Sequence, residues 1–151
     1  MDIRKVVKKE IEAYLKSMNL NYFVGGSERF GWATFSSDID FFISVTNVDM
    51  TVMLRHFSNI IRSHECELYN NCGDVQYTVL GGLVHLNFFT SSIMRFDRLR
   101  LEHIAVEKIL KGNSQLNQIV RNLKITNKVS GKDVYIALKQ LVACINQGNF
   151  K

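Results

Sequence analysis

Two hydrophobic periods alternate along the chain. From Ile3 to Met18 the apolar positions Ile3, Val6, Val7, Ile11, Tyr14, Leu15 and Met18 recur at helical spacing, with lysines and glutamates between them, which predicts an amphipathic helix. The short apolar run from Asn21 to Val24, ended by Gly25 and Gly26, reads as a buried strand entering a glycine turn. A second strand is expected from about Asp38 to Val45. Asp49 or Thr51 can then cap a helix reaching about Ser63, because their side-chain oxygens accept the free amide hydrogens of a first turn. Met53, Leu54, Phe57, Ile60 and Ile61 would be its buried face.

Beyond it, Glu65 to Tyr69 is expected as a short strand, and Gly73 to Leu80 followed by Leu83 to Phe89 as a hairpin turning at Gly81 and Gly82. A two-residue turn there sets Val79 against Val84, Tyr77 against Leu86 and Val75 against Phe88, giving one apolar surface. The other surface carries Gln76, Thr78, His85 and Asn87, with Asp74 on the same side, and can wall a site instead of a core. The remainder reads as helical. One helix is expected from about Phe96 to Leu110 with a stop at Gly112, one within Leu116 to Leu123, and one over roughly Lys132 to Ile145.

Composition bounds the picture. The 151 residues, 46% hydrophobic and 22% charged, suit one self-folding domain and exclude a disordered chain. The longest apolar runs are too short for a bilayer and the start MDIRKVVKKE lacks a signal peptide's apolar stretch, so a soluble, cytoplasmic protein with no membrane partner is expected. Cys66, Cys72 and Cys144 suit reduced thiols better than a disulfide framework, and His64, Cys66 and Cys72 lack the second close pair that a tetrahedral zinc site needs. The net charge of +5 favours anionic partners, although solubility alone accounts for an excess of this size.

The chemistry concentrates in FVGGSERFGWATFSSDIDFFISV, residues 23 to 45. Gly25 and Gly26 let the backbone turn tightly and approach a ligand, and the Ser27 hydroxyl with nearby amides can donate to phosphate oxygens. A short helix over residues 28 to 31 would favour an anion at its start, and Arg29 would add a charged fork. The same glycines and serine also serve as an ordinary turn and helix cap. Asp38 and Asp40 stand two apart, which in a strand places both carboxylates on one face while Ile39, Phe41 and Ile43 point into the core. Asp38 alone can end a turn, but Asp40 within an apolar strand demands a metal or a cationic partner. Such a pair suits Mg2+ or Mn2+, which bind few protein carboxylates together with water and phosphate oxygens.

On these residues the chain resembles the nucleotidyltransferase superfamily that includes DNA polymerase beta, the minimal nucleotidyltransferases, poly(A) and CCA-adding enzymes, and antibiotic nucleotidyltransferases. The family pattern is a strand, Gly-Ser, a short spacer and Asp-x-Asp; here Gly26-Ser27 and Asp38-Ile39-Asp40 are separated by ten residues. The resemblance covers about residues 20 to 90 and implies an α+β nucleotidyltransferase fold, a mixed central sheet of about four to five strands flanked by helices. Residues 1–151 would form a single domain, with extra C-terminal helices over about 96–147. It further implies a nucleoside triphosphate (NTP) held at Gly26, Ser27 and Arg29, and metal ions at Asp38 and Asp40. The acceptor would be a hydroxyl on a protein, small molecule or nucleic acid, and short family members often work as homodimers or beside a protein partner.

Active members carry a third carboxylate on a later strand. Within LVHLNFF, Asn87 takes the place expected for that acid, with Asp74 and His85 as substitutes on the same face. His85 can equally be a surface histidine. Three function classes therefore remain: a metal-dependent nucleotidyltransferase, a catalytically inactive relative that binds a protein partner or nucleotide, and a nucleic-acid-binding module driven by positive charge. Arg95, Arg98 and Arg100 read as a solvated face or as contacts to phosphates or an acidic acceptor, and Phe30, Trp32 and Phe35 as base-stacking or packing residues.

Overall fold

The amphipathic segment forms helix α1, Ile3–Ser17, capped by Asp2, whose carboxylate accepts the Arg4 amide at 3.0 Å. Its far end is a Schellman turn. Asn19 adopts φ 55°, the Asn19 amide donates to the Lys16 carbonyl at 3.0 Å, and the Leu20 amide donates to the Leu15 carbonyl at 3.1 Å. Leu15 and Leu20 both enter the core, so the turn fixes where the next strand begins. The computed structural model describes residues 2–34, 37–57, 66–69, 74–90, 93–126 and 131–146, with residues 66–69, 74, 125, 131–132 and 145–146 described by backbone.

The elements that follow are β1 (Asn21–Gly25), α2 (Gly26–Phe30), β2 (Ile39–Ser44), α3 (Asn47–His56), β3 (Cys66–Tyr69), β4 (Asp74–Val79), β5 (Val84–Phe89), α4 (Ile93–Gly112), α5 (Ser114–Ile125) and α6 (Gly131–Asn146). They build a five-stranded mixed sheet in the order β1-β2-β5-β4-β3. β2 and β5 run parallel at its centre, and the β1–β2, β5–β4 and β4–β3 pairs are antiparallel. The hairpin register matches the sequence expectation, Val79 facing Val84, Tyr77 facing Leu86 and Val75 facing Phe88.

Four element ends differ from expectation. The hairpin closes through a 3-10 turn, Leu80–Gly82, in which the Leu83 amide donates to the Leu80 carbonyl, so the connection is longer than two residues. Thr46, not Asp49 or Thr51, caps α3: its hydroxyl accepts the Asp49 amide at 3.1 Å, while the Thr51 hydroxyl donates to the Asn47 carbonyl. α4 begins three residues earlier than Phe96, and α5 is lengthened by an Asn113 cap that accepts the Leu116 amide at 3.0 Å. The expected continuation of α3 with Ile60 and Ile61, together with His64, Cys72 and Phe35, lies outside the described residues. Cys144 carries a free thiol.

Alternation along β2 and β5 divides the apolar residues between two faces. Ile39, Phe41 and Ile43 with Val84, Leu86 and Phe88 pack under α1 and α3, joined by Ile11, Leu15 and Met53. On the other face Phe23, Phe89 and Phe96 form one cluster, and Phe30, Trp32, Val106, Leu110, Val120 and Leu138 another, so α4, α5 and α6 make a second helical layer. Among the described residues no helix is long and apolar enough to cross a membrane.

Phe41 is fully enclosed at the centre of the first cluster. Phe41→Ala is expected to lower the unfolding free energy by about 3–5 kcal/mol, measured by denaturant titration. The exposed Val48→Ala should change it by less than about 0.5 kcal/mol.

Candidate functional site

The sheet face under α4–α6 stays open at the start of β2. There a cavity of about 520 Å³ is lined by Gly26, Ser27, Asp38, Asp40, His85 and Lys124, with Phe30, Trp32, Phe42, Leu99, His103 and Tyr135 as its less polar walls. Its volume is in the range of small-molecule and cofactor pockets.

Strand pairing explains why the acids meet there. Gly25 lies opposite Asp40 across the β1–β2 ladder, and His85 lies beside Asp40 across the parallel β2–β5 ladder. His85 Nδ1 sits 3.2 Å from Asp38 Oδ2 and 3.2 Å from Asp40 Oδ1. One donor atom from each of Asp38, Asp40 and His85 falls within a 4.8 Å circle, all three side chains being half-buried. Burial first, and then the neighbouring Asp40 carboxylate, raise the Asp38 carboxyl above its ordinary pKa, against the pull of His85 and Lys124. Two acids crowded in this way, with an imidazole nitrogen beside them, are a donor set that a divalent cation satisfies.

Gly26 opens the other side. Its φ is +62°, and a Cβ there would stand 2.6 Å from Asp40 Oδ2, so only glycine leaves the carboxylate clear. The Ser27 hydroxyl accepts from Lys124 Nζ, bringing a cation from the end of α5 onto the Gly-Ser turn. Burial lowers the Lys124 pKa, and Asp38 and Asp40 draw it back up, which places the ammonium in the field of both acids.

The structure redistributes several expected roles. Asn87, expected at the place of a third acid, does not join the cluster of Asp38, Asp40 and His85. It lies one step deeper, in register with Phe42, is 2% exposed, donates Nδ2 to the Phe41 carbonyl at 3.0 Å and accepts from Gln76 Nε2 at 2.8 Å. The parallel register instead sets His85 beside Asp40. Arg29 turns away from the cradle: its guanidinium donates to the Val24 carbonyl at 3.2 Å and pairs with Glu107 at 3.0 Å. The Asp74 side chain lies outside the described residues. Phe30 and Trp32 are buried in packing, Trp32 Nε1 donating to Asn117 Oδ1 at 3.1 Å, and they show the cavity only part of their surface. Arg100 faces solvent beside Asp97.

Lys124, His103 and Tyr135 were not singled out from sequence. His103 occupies a core position of α4, in the stripe Phe96, Leu99, His103, Val106 and Leu110, and a histidine at such a position was the available signal. Its Nδ1 lies 2.9 Å from the Leu99 carbonyl and 3.3 Å from the Tyr135 hydroxyl, and the ring stacks on Phe30. Burial pushes the His103 pKa below its ordinary value, and burial with the nearby Glu102 raises that of Tyr135.

No protein-family profile and no curated protein matches the sequence. Solved structures do. The conserved protein GrpB from Enterococcus faecalis superposes with a TM-score of 0.60 at 15% identity, over 89% of this chain and 88% of that one. A chain of the GLD-2/RNP-8 complex superposes with a TM-score of 0.57 at 14% identity, over 95% of this chain, which spans 59% of that chain's length. The chain has a nucleotidyltransferase-like α+β fold.

Two outcomes follow from the local geometry. Gly26→Ala is expected to cost about 1–2 kcal/mol of unfolding free energy through its left-handed backbone, whereas Gly112→Ala, with open space around the added Cβ, is neutral or stabilising; chemical denaturation measures both. Because the pKa of His103 is depressed in the fold, its contribution to stability is complete above the unfolded value of about 6.5 and is lost as pH falls through the folded value. Melting temperature should therefore decline from pH 7 toward pH 5, and His103→Gln should flatten that decline.

Proposed function

We propose that this protein is a metal-dependent nucleotidyltransferase that moves a nucleoside monophosphate from an NTP to a hydroxyl acceptor. The observation that carries this reading is the convergence of Asp38, Asp40 and His85 beside the Gly26–Ser27 turn. Asp38 and Asp40 would hold Mg2+ or Mn2+, with His85 a further donor suited to Mn2+, and the cation when bound would neutralise phosphate charge and acidify the attacking hydroxyl. Ser27 and Lys124 would bind the triphosphate, Lys124 by charge and Ser27 by donating its hydroxyl. The aromatic and apolar walls, Phe30, Trp32, Phe42 and Leu99, would pack against the nucleoside. In the transfer the acceptor oxygen bonds to the α-phosphorus and the bond from that phosphorus to the bridging oxygen breaks. Pyrophosphate leaves with the electron pair, and the hydroxyl proton passes to solvent.

A second reading is favoured by one specific observation. Where the resembled family carries a third acid, this chain presents the imidazole of His85 beside Asp40, and Asn87 bonds to the Phe41 carbonyl. A protein so built would bind nucleotide, or a protein partner, without transfer.

Mg2+ or Mn2+ with an NTP at a hundredfold excess over Kd should raise the melting temperature by about 5–10 °C. Asp38→Ala and Asp40→Ala should abolish that rise, and a rise untouched by both would remove the site assignment. Incubation with labelled NTPs, either cation and a cell extract separates the two readings: label transfer lost in Asp40→Asn excludes the silent protein, and nucleotide binding without any transfer excludes the enzyme.

A further inference from the structure

Among the described residues two polar side chains are enclosed, Asn87 at 2% exposure and His103 at 3%. The Asn87 amide is bonded at both ends between strands. His103 is bonded on one side only. Its Nδ1 lies 2.9 Å from the Leu99 carbonyl, whereas no described group bonds to Nε2, and the ring lines the cavity that holds Asp38 and Asp40. A buried polar atom left without a partner costs free energy, so this nitrogen marks a place where a bound ligand supplies the missing bond.

The surroundings fix what that nitrogen offers. A carbonyl oxygen only accepts, so the bond to Leu99 puts the ring proton on Nδ1. The Tyr135 hydroxyl, 3.3 Å from Nδ1 and 3.4 Å from Glu102 Oε2, then donates to the carboxylate and not to the ring. Burial holds the His103 pKa below its ordinary value, which leaves the imidazole neutral at pH 7. Nε2 therefore presents a lone pair and no proton. Phe30 stacks on the ring at 15°, and Phe23, Phe42 and Tyr135 stand around it with centroids 4.9 to 5.3 Å away, so its plane is set before any ligand arrives. A Cβ at Gly25 would stand 2.6 Å from Nε2, and at the next residue, Gly26, a Cβ would stand 2.6 Å from Asp40 Oδ2. The lone pair and the acid thus flank consecutive glycines.

In an NTP whose α-phosphate lies at a cation beside Asp40, the sugar follows that phosphate directly and the base stands one sugar further out. A group so near Asp40 therefore meets the sugar first. We propose that His103 Nε2 accepts a hydrogen bond from a sugar hydroxyl of the NTP and so makes the site prefer ribonucleotides to deoxyribonucleotides. The inference rests on the nucleotidyl-transfer reading of this cavity. A site built to bond a hydroxyl rejects the analogue that lacks it, because the buried acceptor is then left unpaired.

Isothermal titration of the full chain with ATP, 2′-deoxy-ATP and 3′-deoxy-ATP, in Mn2+ and without acceptor, tests this. One of the two deoxy forms should bind about threefold to tenfold more weakly than ATP, and that form identifies the hydroxyl. Nitrogen NMR of the free protein at pH 7, with the ring assigned through its contacts to Phe30, should find the proton on Nδ1. Saturation with ATP should move the Nε2 signal to lower frequency, and the weaker deoxy form should not. His103→Phe should bring ATP and that form within about twofold of each other, and His103→Gln, whose amide oxygen reaches toward the place of Nε2, should restore part of the preference. The nucleotide series and the ring spectrum use the parent protein and decide the matter whether or not either variant folds. ATP binding with no sugar preference overturns the proposal and leaves the transfer reading standing, as does a proton found on Nε2. A preference among ATP, CTP, GTP and UTP that is lost in His103→Phe, with none for the sugar, assigns the nitrogen to the base and likewise overturns it. Failure of every nucleotide to bind, with the proton on Nδ1, overturns the transfer reading and with it the sugar role.

Discussion

The two-residue period of β2 is the constraint on which the site depends. A strand whose core-facing residues, Ile39, Phe41 and Ile43, have no exposure cannot tolerate an acid on that face, because an unpaired carboxylate in apolar surroundings is too expensive to desolvate. Both acids accordingly fall on the alternate face, at the end of the strand where the sheet is not yet covered. Packing on one side of the ribbon thus dictates chemistry on the other. A slip of one residue in the β1–β2 or β2–β5 pairing would bury the carboxylates and expose the core residues together.

The helical layer over that face completes the site. α2 turns the chain away from Asp40, α4 brings His103 against Gly25, and α5 delivers Lys124 to Ser27. Gly25 has its own requirement here, since a Cβ would stand 2.6 Å from both His103 Nε2 and the Phe42 ring. The paired glycines therefore have separate duties: one admits the helical layer, and the other keeps the acid accessible.

Much of this was legible in the sequence because it rests on local period. The helix over residues 3 to 18, the register of the β4–β5 hairpin and the shared face of Asp38 and Asp40 all follow from spacing alone. What sequence could not fix depended on relations between distant segments. Which residue of β5 stands beside Asp40 is set by the parallel pairing, and no local signal distinguishes His85 from Asn87 for that place. Arg29 looked suited to phosphate by proximity, but Glu107, distant in sequence, claims its guanidinium. Lys124 joins the site only because α5 folds back over the Gly-Ser turn.

Asn87 deserves a last consideration for what its amide does between strands. Its donor end meets the Phe41 carbonyl and its acceptor end meets Gln76, so it acts as a cross-brace perpendicular to the ladder. An ionised aspartate grafted there would have no donor for the Phe41 oxygen and would set two acceptors against each other at a largely buried position. The amide therefore suits that place better than a carboxylate as far as the Phe41 carbonyl is concerned. Any descendant or redesign that acquires one has its natural opening one register step nearer solvent, on the strand position now held by imidazole.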